Sequence, residues 1–272
     1  MSLFPRPIKI VRERRAATPP AVTVIVTLYN YARHVEECLD SLARQTQTDM
    51  ELLVVDDAST DDGLAVVLAW LDRNDTPFTS HRVIAHTTNM GLPYARNTAF
   101  EHAAADRVFV MDADNALYPR AIERCMQAMS NSGAAGAYTQ LEFFGDRTGL
   151  GEADYWSRER FKSKNYVDAM ALVSKTAWRQ VGGYSQLIAN GWEDYDFWCK
   201  FVEHGLMCTF VPEVLCRYRF HLTSMSHTET NPALGTLLLE MSIRHPWLEP
   251  WGTLFAAKPE AAPISSQAAS RP

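Results

Sequence analysis

The chain has 272 residues, 47% of them hydrophobic, enough for one globular domain with appendages or at most two small domains. Its formal net charge of -6 excludes general nucleic-acid binding through the phosphate backbone, which needs a clustered basic surface. Five scattered cysteines with no Cys-x-x-Cys pair read as reduced, buried thiols, and no apolar run approaches the roughly 20 residues of a membrane span.

Residues 1–20 mix Arg6, Lys9, Arg12, Arg14 and Arg15 with prolines and show no sustained periodicity. They are expected to form a basic tail, or an arm packed on a larger body, with scope for a peripheral contact at the inner membrane face. The opening residues lack the apolar core of a signal peptide, so the expected location is cytoplasmic. A β-branched run at 22–27 predicts a strand, and Val35, Cys38, Leu39 and Leu42 recur at helical spacing. A second strand follows at 52–55, a helix at 64–71, a strand at 83–85, a helix at 93–104, a strand at 108–111 and a helix from Pro119. After Gly133 the alternation loosens: residues 137–144, 167–173 and 208–211 read as strands, and 193–204 as a helix ended by Gly205. The fold class is α/β, with a mainly parallel central sheet, a mixed second half and helices on both faces. The expected domain spans 21–226, divided at 115/116; residues 227–255 would be a lid or helical segment, and the Ala-, Pro- and Ser-rich residues 256–272 a disordered tail.

Three early strands end in polar residues, at Thr27-Leu28-Tyr29-Asn30, Asp56-Asp57-Ala58-Ser59 and Asp112-Ala113-Asp114. In open α/β sheets ligands gather beyond the carboxyl ends of the strands, so these residues should converge on one edge. Asp-x-Asp alone is weak, since it recurs at Asp194-Tyr195-Asp196, and Ser59 reads better as a helix cap than as a functional group.

Taken in order, these residues resemble family 2 glycosyltransferases of the GT-A, Rossmann-like nucleotide-sugar-binding fold. The resemblance covers roughly residues 22–226. It rests on Val24-Ile25-Val26-Thr27-Leu28-Tyr29-Asn30, Val54-Val55-Asp56-Asp57-Ala58-Ser59-Thr60-Asp61, Asn89-Met90-Gly91-Leu92-Pro93-Tyr94-Ala95-Arg96-Asn97, Asp112-Ala113-Asp114, Gly182-Gly183-Tyr184, Trp192-Glu193-Asp194 and Tyr218-Arg219-Phe220-His221. Any one of these is short, and their order makes them specific.

The resemblance implies a metal-dependent, inverting transfer of a sugar from a nucleotide-diphosphate donor, most simply a UDP-sugar, to a saccharide, lipid-linked or other hydroxyl acceptor. Residues 21–115 would then be the nucleotide-binding half and 116–226 the acceptor-binding half. Mn²⁺ or Mg²⁺ would be held by Asp114, with Asp112 on metal or ribose and His221 closing the site. Thr27, Tyr29, Asn30, Asp57, Asn89, Gly91 and Arg96 would hold the nucleotide, with Tyr29 stacking on the base and Asp57 accepting from a pyrimidine N–H. Arg96 serves either a direct phosphate contact or an internal ion pair with Asp57 or Asp112. Trp192, Gly183 and Tyr184 would line the acceptor side. The attacking hydroxyl needs a carboxylate base, expected in the pair Glu193 and Asp194, with Asp194 favoured. The rivals are a nucleotidyltransferase, which would want a glycine-rich basic loop after the first strand where this chain has aromatics, and a catalytically silent nucleotide- or carbohydrate-binding module.

Overall fold

Two stretches in which every residue is buried, VTVIVTL and MELLVVD, form neighbouring central strands of a ten-stranded sheet. The computed structural model describes residues 7–74, 77–222 and 224–249. In chain order the elements are β1 (Ile8–Arg14), β2 (Val22–Leu28), α1 (Val35–Ala43), β3 (Met50–Asp56), α2 (Gly63–Arg73), β4 (Ser80–His86), α3 (Leu92–His102) and β5 (Arg107–Asp112). Then come β6 (Ala116–Leu117), α4 (Ala121–Ser132), β7 (Gly136–Gly145), β8 (Gly149–Leu150), α5 (Arg158–Phe161), β9 (Ala171–Ser174) and α6 (Lys175–Gln180). The described chain closes with α7 (Glu193–Glu203), β10 (Cys208–Phe220), a π-helical turn (Ser226–Thr230) and α8 (Leu234–Arg244).

The strand order is β1-β4-β3-β2-β5-β9-β7-β10-β6, with β8 on β7. β4, β3, β2 and β5 are mutually parallel, β9 is antiparallel to both β5 and β7, and β7 and β10 are parallel. This is the expected mainly parallel sheet with a mixed second half.

Because strand side chains alternate faces, each buried run feeds two cores. Val24, Val26, Leu52, Val54, Phe109 and Met111 face a cluster completed by Val35, Cys38 and Leu39 of α1, Trp70 of α2 and Ile122 of α4. Ile25, Leu53, Val55, Val108 and Val110 face a second cluster with Phe100 of α3, Trp178 of α6, Phe197 and Trp198 of α7 and Met241 of α8. Burial on both faces explains why these strands read as continuous apolar runs. All five cysteines are buried and free. Among the described residues no helix is long and apolar enough to cross a membrane.

The structure departs from the sequence reading in three places. Residues 8–14 are a strand, antiparallel to β4 on the sheet edge, with Arg12 Nη1 donating to Leu68 O at 3.1 Å and Arg14 Nη2 to Phe78 O at 2.6 Å. Alternating charges mask the strand because it is half-exposed. The strand expected at 167–173 begins only at Ala171, since Met170 N–H bonds Asp168 Oδ1 at 2.8 Å and Val167 O accepts from Trp198 Nε1 at 3.0 Å. The strand expected at 208–211 runs on to Phe220, through register shifts around Val214 that accommodate Pro212. Residues 1–6, which include Arg6 of the basic arm, and the tail expected at 256–272 lie outside the described residues.

Candidate active site

β2, β3 and β5 end level with one another, with Thr27 opposite both Val55 and Asp112, so their polar ends do converge. Thr27 Oγ1 donates to Asp112 Oδ1 at 3.3 Å. Tyr29 stands at the mouth, 43% exposed. Asn30, at φ 60°, knits the first two loops together: its Oδ1 accepts from Thr60 N at 2.8 Å and Asp61 N at 3.3 Å, and its N–H donates to Ser59 Oγ at 3.1 Å. Asp57 is buried and accepts from Met90 N at 2.9 Å and Gly91 N at 2.7 Å, while His86 Nδ1 lies 2.6 Å from Oδ1. Its carboxylate therefore shapes the Asn89–Gly91 loop directly, and Gly91 takes the φ of +91° that the turn into α3 requires. Asn89 is exposed at the tip of this loop.

Arg96 joins the two acidic groups. It comes from α3, is 1% exposed, and donates through Nη2 to Asp112 Oδ1 at 2.8 Å and through Nη1 to Glu193 Oε1 at 2.7 Å. Burial opposes its charge, but Asp112 and Glu193 outweigh that and hold it firmly protonated. Its guanidinium lies 5.4 Å from the Tyr184 ring centre, and among the described residues its Nε has no hydrogen-bond partner. Of the roles the sequence left open for Arg96, the structure shows the internal ion pair, to Asp112 and not to Asp57.

Asp114 is 8% exposed and its Oδ2 lies 3.1 Å from His221 Nε2, which joins residues 107 apart in the chain. Arg219 fixes this end of β10, donating through Nε to Asp114 O at 2.8 Å while its N–H donates to Asn115 Oδ1 at 2.9 Å. His34 and Tyr31 pack against His221 at ring distances of 5.3 and 5.9 Å. Burial, followed by Asp114 and Asp112, pushes the Tyr31 phenol well up; burial, then Arg219, lowers the His34 imidazole. Among the described residues no three His, Cys, Asp or Glu side chains converge on a cation position. Two donors are nevertheless suitably placed, since neighbouring ligands about 2.1 Å from a Mg²⁺-sized ion in octahedral geometry stand about 3.0 Å apart. Asp114 and His221 are the pair whose spacing such an ion would match, although their 3.1 Å contact is also a hydrogen bond; Asp112 faces Arg96 instead.

The second acidic group opens α7, where Gly191 (φ +113°) and Trp192 (φ 59°) turn the chain so that Glu193 and Asp194 enter the site from the helix N-terminus. Glu193 is spent on Arg96. Asp194 accepts from its neighbour Tyr195 N at 2.7 Å and from Asn165 Nδ2 at 2.9 Å. Burial, then the charges of Glu193 and Asp168, push the Asp194 carboxyl up into a range where it exchanges protons near neutrality. Asp168 is pushed up to about 7, first by burial and then by Asp112. Gly183 and Tyr184, expected on the acceptor side, are buried beneath the site: Gly183 O accepts from Lys200 Nζ, and the Tyr184 ring stacks on Phe197 at 4.2 Å. The Tyr184 hydroxyl has no hydrogen-bond partner among the described residues. Trp192 is half-buried, edge-on to Tyr195.

Sequence reading missed Tyr31, His34, Asn165, Asp168 and Arg219. Tyr31 adjoins a motif and Arg219 lies within one, Tyr218-Arg219-Phe220-His221, so both could have been found from the motifs. Asn165 precedes, and Asp168 falls within, the run expected to be a strand at 167–173, so neither stands at an expected strand end.

A family model described as Glycosyl transferase family 2 matches residues 23–181, more than half of the chain. Among curated proteins, the chain is 28% identical over 193 residues to a chondroitin synthase of Escherichia coli and 28% over 192 residues to a hyaluronan synthase of Pasteurella multocida. Each match takes in 68% of this chain but only 27% and 19%, respectively, of those longer proteins. Among solved structures, S. aureus TarS 1-349 in complex with UDP-GlcNAc superposes with a TM-score of 0.66 at 18% identity, over 82% of this chain and 66% of that one. The mannosyltransferase PcManGT of Pyrobaculum calidifontis, in complex with GDP-Man and Mn²⁺, gives 0.58 at 22% identity, over 74% and 57%. At these identities the structural likeness shows the fold.

Proposed function

The chain belongs to glycosyl transferase family 2, and from that premise we propose that it is a divalent-metal-dependent inverting glycosyltransferase, moving a sugar from a nucleotide-diphosphate donor, in the first instance a UDP-sugar, to a hydroxyl acceptor. One observation carries this reading: buried Arg96 bridges Asp112, at the end of β5, and Glu193, at the start of α7, so the candidate donor and base groups form one preorganised unit. A silent binding module has no need of a buried charge locked between two acids that also adjoin a proton-accepting carboxylate.

In this reading the nucleotide lies on the exposed ring of Tyr29 and the Asp57-braced loop at Asn89–Gly91, with Thr27 and Asn30 lining the strand ends. Asp114 and His221 would hold Mn²⁺ or Mg²⁺, which would supply positive charge against the negative charge gathering on the departing diphosphate. Arg96 adds a fixed positive charge on the same side and keeps Asp112 in place. Asp194 takes the proton of the acceptor hydroxyl; its raised proton affinity makes it a stronger base than an exposed aspartate, provided that it is ionised at the working pH. Glu193, held by Arg96, orients the acceptor, with Trp192 beside it. The described residues 224–230, which end with Thr230 beside Gly191, would cover the bound donor.

The direct test is calorimetric titration of UDP with and without Mn²⁺, on the wild type and on Asp114→Ala. Metal-enhanced binding lost in the variant is expected; equal affinity in all four titrations would sink the assignment.

A further inference from the structure

A single loop, residues 165–170, runs between the candidate base and the ends of the donor strands. At one end Asn165 Nδ2 donates to Asp194 Oδ2 at 2.9 Å, so the carboxylate is held on both oxygens, the other receiving Tyr195 N–H. The Asn165 amide is itself pinned, since its Oδ1 accepts from Val167 N at 3.3 Å and Val167 O accepts from Trp198 Nε1 of α7 at 3.0 Å. At the other end Leu172 of β9 pairs antiparallel with Phe109 of β5, and Asp168, just before that strand, lies near enough to Asp112 and Asp114 for their charges to add to burial in raising its carboxyl. Asp168 Oδ1 is fixed by Met170 N–H, leaving Oδ2 without a protein partner among the described residues.

Resting on the reading of Asp194 as base, we propose that Asn165 is its positioning residue: the amide fixes the plane of the Asp194 carboxylate and, against Asp168 of the same loop, sets how tightly that carboxylate holds a proton. An amide N–H bonded to a carboxylate favours its ionised form, whereas a neighbouring negative charge disfavours it. The charged groups that act on Asp194 are Glu193, Asp168 and Arg96, of which only Arg96 favours ionisation. Asn165 supplies a neutral donor where a second buried cation would disturb the Arg96 pairs. One loop thus carries two opposing controls on the base.

The test is the pH dependence of kcat/KM for the UDP-sugar that the wild type turns over best with Mn²⁺, with UDP binding by calorimetry as a folding control. Asn165→Asp keeps the shape but removes the donor, and should move the acid limb upward by about one pH unit or more. Asn165→Ala should move it the same way and lower the plateau about tenfold or more by freeing the carboxylate. Asp168→Asn should move the limb downward. An unmoved limb in Asn165→Asp with UDP binding intact overturns the proposal, as do shifts of the same sign in Asn165→Asp and Asp168→Asn. Asp194→Asn separates the two levels. If it keeps wild-type turnover, or if no nucleotide sugar is turned over by the wild type, the base reading fails and takes this inference with it. If Asp194→Asn is inactive while the limb stays put in the loop variants, only the inference fails.

Discussion

Arg96 shows how one side chain can be structural and functional at once. Two carboxylates balance its buried charge, so removing it leaves two acids partly desolvated without a counter-charge. Loss of one member of a buried ionic network costs about 3–5 kcal/mol. Arg96→Met is therefore expected to lower the urea midpoint strongly and abolish turnover together, whereas Glu193→Gln, which keeps a hydrogen-bond acceptor, should lose less stability; equal stability of Arg96→Met and wild type would contradict the network. Asp57 makes a narrower prediction. Asp57→Ala strips two backbone N–H groups, at Met90 and Gly91, of their acceptor, an expected cost of about 1–3 kcal/mol for each amide left unsatisfied. Weaker UDP binding should accompany it, readable by the same calorimetry. At this scale the sequence was informative where function sits at a strand end: Thr27, Asp57, Asp112 and Asp114 stand where the apolar runs stop. Asn165 and Asp168 follow no run, so nothing local marked them.

Helix α7 carries the base candidates at its start and is locked to α8 and the residues just after it by Asp196 of its first turn and Glu203 at its end. Asp196 is fully buried and accepts from Arg244 Nε at 2.6 Å, with His245 Nε2 3.1 Å from the same oxygen and Lys200 Nζ 3.2 Å from the other. His245 Nδ1 reaches Glu203 at 2.7 Å, and Trp247 Nε1 donates to the same carboxylate at 2.8 Å. Burial would raise Asp196, but the His245, Lys200 and Arg244 partners overcome it and hold the carboxyl well below its usual range. The sign follows: a carboxylate with a depressed folded pKa contributes stability above its unfolded value of about 3.9, and loses it as pH falls further. Protection of α8 against hydrogen exchange, taken relative to the free-amide rate at each pH, should therefore fall below about pH 4, and Asp196→Ala should show the same loss of protection at neutral pH. An α8 equally protected in that variant would mean that apolar contacts through Leu237 and Met241 suffice to dock it. The Asp-x-Asp spacing at Asp194 and Asp196 carries no hint of this division of labour; two residues apart in one helical turn, about 200° around the axis, the two acids point to different neighbours.

Across the whole molecule, the sheet is the common wall of two cores, so a single central strand supports both. Phe109 is fully buried on β5, paired with Val24 of β2 on one side and Leu172 of β9 on the other. Phe109→Ala is expected to cost about 3–5 kcal/mol, a large part of the about 5–15 kcal/mol that keeps a domain folded. A chemical-denaturation midpoint unchanged by it would show that the two halves do not share this wall. Such a wall was visible beforehand, because strands buried on both faces must be apolar at every position and helices between parallel strands must cover them. The alternation of elements through Ser132, the convergence of three strand ends and the identity of the acidic residues were all properties of local pattern and spacing. Local pattern could not supply contacts between distant parts of the chain. The edge strand at residues 8–14, the union of β10 across Pro212, the meeting of Asp114 with His221 and of Asn165 with Asp194, and the choice of Arg96 for Asp112 and Glu193 over Asp57 all depend on which segments the sheet brings side by side. The physical reason is range: periodicity and capping are set by neighbours within a few residues, whereas ion pairs and hydrogen bonds in a site are decided by backbones that meet only when both cores have closed.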